Sequence, residues 1–260
     1  MSLSQEPAYS DLKNHFVCGY RNIMGERYAG NSGIHTTRGN AVDTTNGAGP
    51  HNIQMFVLNP DGTVLHCLPG YWNPQDLSNE LSFARQLNNL YVNNSMSPAD
   101  KVKTFGSMQL NHIRQHSPDM VARSKLQHFD MKFEATHRLH TSDFIKNPSI
   151  LDGTWSPSSA AAFRTTDEVI HERMAVRPFL SYSHFDVGRF ADYGQHTYDK
   201  HEDSLDENGR MVGDEKVHWI KDPQVARAER ARMRQLKAQS APKVYVRNYG
   251  QVKTTSSASN

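Results

Sequence analysis

Cys18 and Cys67 are the only two cysteines among 260 residues, whereas histidine occurs 14 times, so thiol and imidazole chemistry are what the chain has most clearly on offer. Cys18 stands in HFVCGYRN, with Arg21 three residues on. A guanidinium beside a thiol favours the thiolate, the reactive form, and would suit one-cysteine chemistry such as peroxide reduction or mixed-disulfide formation. No second thiol follows closely enough to resolve such an intermediate locally. His35, in a loop rich in Gly and Asn, could approach Cys18 and activate it. The plainer reading makes Cys18 a small buried hydrophobe at a strand end. Cys67 lies in TVLHCLPGY, where alternation puts Thr63, Leu65 and Cys67 on one face and Val64, His66 and Leu68 on the other, which suits a structural role. A Cys18–Cys67 disulfide is the minority alternative and needs Cα atoms within about 7 Å.

Among the histidines, His112 and His116 are spaced i, i+4, which on a helix puts both on one face and is compatible with a two-histidine metal site. His137 and His140 are three apart. A metal centre wants three or four ligands and supporting partners behind them. His171-Glu172 begins like a His-Glu-x-x-His motif, but the residue four after His171 is Ala175. Each pair on its own therefore reads as surface histidine, and no metal and no cofactor is assigned. The stretch from Val169 to Glu202 is dense in polar and aromatic residues. Arg173, Arg177, Asp186, Asp192, Tyr193, Asp199 and His201 could form a polar network. The alternative is that Phe179, Tyr182, Phe185, Phe190 and Tyr193 pack onto the preceding domain. No phosphate loop, dinucleotide fingerprint or Gly-x-Ser-x-Gly elbow is present.

The elements that would position these residues are clearest between 50 and 92. Asn52–Leu58 is an apolar strand, and Asn59-Pro60-Asp61-Gly62 is a turn in which Pro fixes φ and Gly supplies the positive φ. Thr63–Leu68 returns as the second strand of a hairpin. Asn73 then caps a helix with Pro74 at its first position, and Leu77, Leu81, Ala84, Leu87 and Tyr91 repeat at helical spacing to about Val92. Ser97-Pro98 opens a second helix to about His116, and Ser117-Pro118 a third that reaches toward Phe133. A further helix is expected near Asp167–Val176, and a short strand near His15–Tyr20. Residues 25–50 and 146–165 read as loops, and 181–220 as mostly irregular.

Strand, Pro-Asp-Gly turn, strand, Pro-Gly-Tyr and amphipathic helix, in that order, is similar to the second half of the thioredoxin fold. The resemblance covers about residues 10–92. It aligns Cys18-Gly19-Tyr20-Arg21 with the family's Cys-x-x-Cys, Arg21 standing where the second cysteine would be. It also puts Gly49-Pro50-His51 at the place of the family's cis-proline, which faces the redox cysteine. The resemblance implies a thiol redox role in which Cys18 reacts, Arg21 and His35 tune it, and Gly49, Pro50 and His51 bind substrate. The implied partners are protein thiols or a partner protein. A non-catalytic binding or assembly module of the same fold is the rival function, and a histidine-based metal-binding protein the third.

The fold class expected is α/β: a thioredoxin-like domain at 10–94, a helical region at 95–145, a largely irregular extension at 146–220, and a basic tail at 221–260. From Lys221 onward nine Lys or Arg face only Asp222 and Glu229, although the whole chain carries a net charge of only +2. Such asymmetry suits a solvated tail, and the lack of any zinc-finger or RNA-binding signature argues against nucleic acid. No apolar run reaches the roughly 20 residues that span a bilayer. The first residues lack the apolar core of a signal peptide. A cytoplasmic protein is expected, or an exported one if the start is trimmed. A long arm on a modest core also suggests a homo-oligomer.

Overall fold

A computed structural model describes residues 2–32, 44–151 and 157–198. In chain order its helices and strands are α1 (Ala8–His15), β1 (Asn31–Ser32), β2 (Gln54–Leu58), β3 (Val64–Pro69), α2 (Pro74–Val92), α3 (Pro98–Ile113), α4 (Pro118–Arg123), α5 (His128–His137), α6 (Thr166–Ala175), α7 (Val187–Phe190) and β4 (Thr197–Tyr198). The chain is a mixed helix and strand protein. Its strands form two small sheets, β2 with β3 antiparallel and β1 with β4 parallel.

The hairpin follows from its turn. Gly62 takes φ 86°, a conformation that disfavours any side chain, and its N–H donates to the Asn59 carbonyl. Pairing sets Val57 against His66 and Met55 against Leu68, with a shift in register between Val57 and Leu58. Every residue of β3 is buried. His66 on this strand faces α2 and α6, which pack against it.

Three helices start on the same device. Asn73, Ser97 and Ser117 each accept a hydrogen bond from a backbone N–H of the first turn, and each is followed by Pro at the first helical position. In α2 the expected apolar stripe is the buried one: Leu77, Leu81, Ala84 and Leu87 are all buried. Asp76, Glu80 and Phe83 lie buried beside it, widening the interior face. The main core runs from Ala8 to Phe190 and includes Trp72, Phe105, Met120, Ile170 and Met174. A smaller cluster gathers Leu126, Phe144, Phe163 and Tyr193.

Several boundaries differ from expectation. The strand anticipated at His15–Tyr20 is not formed, because α1 already holds His15: Leu12 packs on the core and Asp11 accepts a hydrogen bond from Ser78 of α2. The helix opened by Ser117 ends at Arg123 rather than near Phe133. The Ser124 carbonyl turns to accept from both the backbone N–H and the hydroxyl of Thr166 at the head of α6, which breaks the run before α5 begins. Between Val169 and Tyr198, Phe185 and Phe190 join the main core, Phe179 and Tyr182 pack against it, and Tyr193 joins the smaller cluster, so these aromatics pack inward, the alternative given for that stretch. Arg173 holds Asp143 and the carbonyls of Phe190 and Asp192. His35, Asp199, His201 and the basic tail lie outside the described residues. No helix among the described residues is long and apolar enough to cross a membrane.

Candidate metal centre

Glu80 of α2, His112 of α3, His116 just beyond the end of α3, and His171 of α6 converge at the junction of the three helices with β3. Each offers one donor atom, and the four donors lie within 4.8 Å of one another. The arrangement centres on one oxygen: Nε2 of His112, of His116 and of His171 each stand 3.3 Å from Glu80 Oε1. Four donors bonded at about 2.0–2.1 Å to a single ion at tetrahedral angles are separated by about 3.3 Å.

The sequence folds this way for local reasons. Glu80 falls between Leu77, Leu81 and Ala84 on the buried arc of α2, so its carboxylate points inward with them. His112 and His116 share a face across the end of α3, where the backbone N–H of His116 still donates to the Ile113 carbonyl. His171 lies one turn after Asp167 on α6, on the side of the helix that packs against α3.

A second ring of partners orients three of the four candidate ligands. His116 Nδ1 donates to Asp167 Oδ2 at 2.7 Å. His171 Nδ1 donates to Gln109 Oε1 at 2.6 Å. His66 Nε2 donates to Glu80 Oε2 at 2.9 Å. This is the pattern by which proteins fix ligand tautomers around a metal. With Nδ1 holding the proton, Nε2 of a neutral His116 or His171 presents a lone pair to a carboxylate oxygen. Nε2 of His112 and of His116 is buried with no hydrogen-bond partner among the described residues. Lone pairs facing one another across 3.3 Å require positive charge between them.

The electrostatics agree. Burial alone would raise the Glu80 carboxyl, but the imidazoles of His171, His112 and His116 outweigh it and hold the group well below the usual carboxylate range. Burial would likewise lower His116, but the Asp167 and Glu80 carboxylates overcome it and raise its pKa to about 9. For His171 burial wins over Glu80 and the pKa falls to about 4. Burial and charge thus pull in opposite directions at each of these three groups, with Glu80 held toward its charged form and His171 toward its neutral one.

The residues singled out as a thiol site are placed differently. Cys18 is an exposed free thiol in the segment after α1, and Cys67 is a buried free thiol, so no disulfide joins them. Burial pushes the Cys67 thiol well up, away from the reactive thiolate form. Arg21 bonds to the Tyr182 hydroxyl and pairs with Glu26. Gly49 takes φ 72°, and the one cis peptide bond among the described residues precedes Pro7, so Gly49–Pro50 is trans, contrary to expectation. His51 is buried, with its ring nitrogens against the Tyr28 and Tyr193 carbonyls and its face stacked on His196 at 3.7 Å.

Of the metal-centre residues, only the His112–His116 spacing was singled out as a metal signal. His171 enters the sequence reading only as the start of an incomplete His-Glu-x-x-His motif, and Glu80 and the supporting Asp167 carry no metal signal there. The signal that could have found Glu80 is a carboxylate in the middle of an otherwise apolar helical arc. For His171 it is the Asp167-x-x-x-His171 spacing on a helix. No family model matches the chain, and no curated protein or solved structure matches it either.

Proposed function

We propose that this chain is a metal-binding protein that holds one divalent transition-metal ion on Glu80, His112, His116 and His171. The observation that carries the reading is the set of three imidazole nitrogens, each 3.3 Å from one carboxylate oxygen. The hydrogen bonds behind His116 and His171 already commit their other nitrogens, which supports it further. Charge argues for a divalent ion. With neutral imidazoles, two positive charges cancel Glu80 and Asp167, which are otherwise buried carboxylates in need of compensation. The donor set argues for the metal class: three imidazoles and one carboxylate suit Zn(II) or another first-row ion, whereas Mg(II) and Ca(II) prefer oxygen alone. Such an ion supplies a fixed positive charge and a Lewis-acid centre. The chain's own residues, Asp167, Gln109 and His66, orient the donors.

The thioredoxin-like, single-cysteine redox reading keeps one supporting observation, the exposure of Cys18. It is weakened because Arg21, its proposed activator, is already paired with Glu26. Metal analysis of the full chain, purified without a histidine tag, tests the preferred reading. The expected result is one equivalent of ion, lost in His112→Ala and in His171→Ala but retained in Cys18→Ser. Substoichiometric metal in every preparation, with no binding on titration with Zn(II), would overturn it.

A further inference from the structure

A bound ion can be fully enclosed by protein or can keep a position open for water and substrate, and the surroundings of the four ligands bear on which applies here. Glu80 and His171 have no exposed side-chain surface, the His116 side chain is 2% exposed, and that of His112 is 12% exposed. The one side with any opening is therefore that of His112. Phe83, one turn after Glu80 on α2 and itself buried, lies flat against that imidazole, with ring centroids 3.8 Å apart and planes within 5°. The same ring meets His66 and His171 edge-on, at 5.8 and 5.6 Å. His66 in turn stacks on His171 at 5.1 Å. One phenyl ring thus touches two of the ligands and the imidazole that holds the Glu80 carboxylate.

We infer that Phe83 is the cover of the centre, and that the ion it encloses is four-coordinate, saturated by Glu80, His112, His116 and His171, with no exchangeable water. The inference rests on the metal-binding reading above. An apolar shell around a metal controls solvent access to it. Four protein donors without an open position are the arrangement of structural zinc sites, whereas catalytic ones keep three donors and a water. The ion then acts as a clamp, joining α2, α3 and α6 beside the His66 face of β3. His112, as the least buried ligand, marks the route along which it enters.

The test uses the full chain loaded with Co(II), whose visible bands report coordination number, titrated with azide. The expected wild-type result is the intense spectrum of a four-coordinate ion, unchanged by azide. Phe83→Ala should retain Co(II), show the weaker bands of a higher coordination number, and shift on adding azide at concentrations that leave wild type unchanged. If Phe83→Ala does not fold, Phe83→Leu keeps most of the volume, loses the flat ring, and should still admit azide. A wild-type spectrum that shifts with azide overturns the closed centre while leaving metal binding intact. Variants as unresponsive as wild type overturn the role of Phe83. Failure of the wild-type chain to bind Co(II) or Zn(II) at all would remove the metal-binding reading itself.

Discussion

His116 and Glu80 face each other across 3.3 Å through Nε2 and Oε1, and the other imidazole nitrogen, Nδ1, donates its proton in a hydrogen bond to Asp167. In the metal-free chain a second proton on His116 satisfies that contact. On the proposed metal-binding reading an ion would take that place. The two states compete for the same place, as expected where ligands must be deprotonated before they bind.

Glu80 is the donor common to all the short contacts, so Glu80→Gln should weaken metal binding most, by at least about 100-fold, because it removes the negative charge and leaves buried imidazoles around a neutral amide. Competition with a chromophoric chelator measures this. A variant that binds as tightly as wild type would show that Glu80 is not a ligand.

On the metal-binding reading Asp167 would act on the ion only through His116. Asp167→Asn keeps the shape but no longer fixes the proton on Nδ1, and should cost about 10- to 100-fold in affinity while leaving one equivalent bound at saturation. Gln109→Leu should act in the same direction through His171. An Asp167→Asn chain with unchanged affinity would mean that the contact is incidental.

Asp76 makes a useful contrast, since it lies one turn before Glu80 and faces other partners. Its carboxylate is buried, takes two hydrogen bonds from Arg123 at 2.8 and 2.7 Å, and takes another from Asn46 at 2.8 Å. Asp76→Asn should destabilise the fold by about 2 kcal/mol, since Arg123 is partly exposed and can turn to water, and should leave metal stoichiometry at one. Urea unfolding and metal analysis of the same sample check both halves.

His51 gives the fold a pH dependence apart from the metal. Burial first, and the neighbouring His196 second, lower its pKa to about 4. The unfolded chain, with an ordinary value near 6.5, binds more protons between these limits. Its contribution is therefore complete above about pH 6.5 and is lost as pH falls toward 4, up to about 3 kcal/mol. Urea midpoints between pH 7.5 and 4.5, measured with chelator present, should fall more steeply for wild type than for His51→Gln. Equal slopes would contradict the assignment.

Local chemistry made much of the fold legible. Asn73-Pro74, Ser97-Pro98 and Ser117-Pro118 announced three helix starts, and Pro60-Asp61-Gly62 announced the hairpin, because caps and turns are decided within a few residues. The extended reading of His15–Tyr20 failed because the helix of Ala8–His15 owes its place to packing on α2, which no local pattern reveals. The centre was half legible for the same reason. His112 and His116 are one turn apart in sequence, whereas Glu80 and His171 are 91 residues apart and meet only when α3 and α6 pack together against β3 and α2. A histidine pair judged alone looks like surface; the buried carboxylate between them is supplied by the tertiary fold.

The most direct measurement is the metal content and thermal midpoint of the untagged chain, as purified, after chelation, and after return of one equivalent of Zn(II). The account expects about one ion per chain, a lower midpoint on removal, and full recovery on return, with none of these changes in a His112→Ala, His116→Ala chain. A chain that carries no metal, and whose midpoint is the same with chelator and with Zn(II), would contradict it.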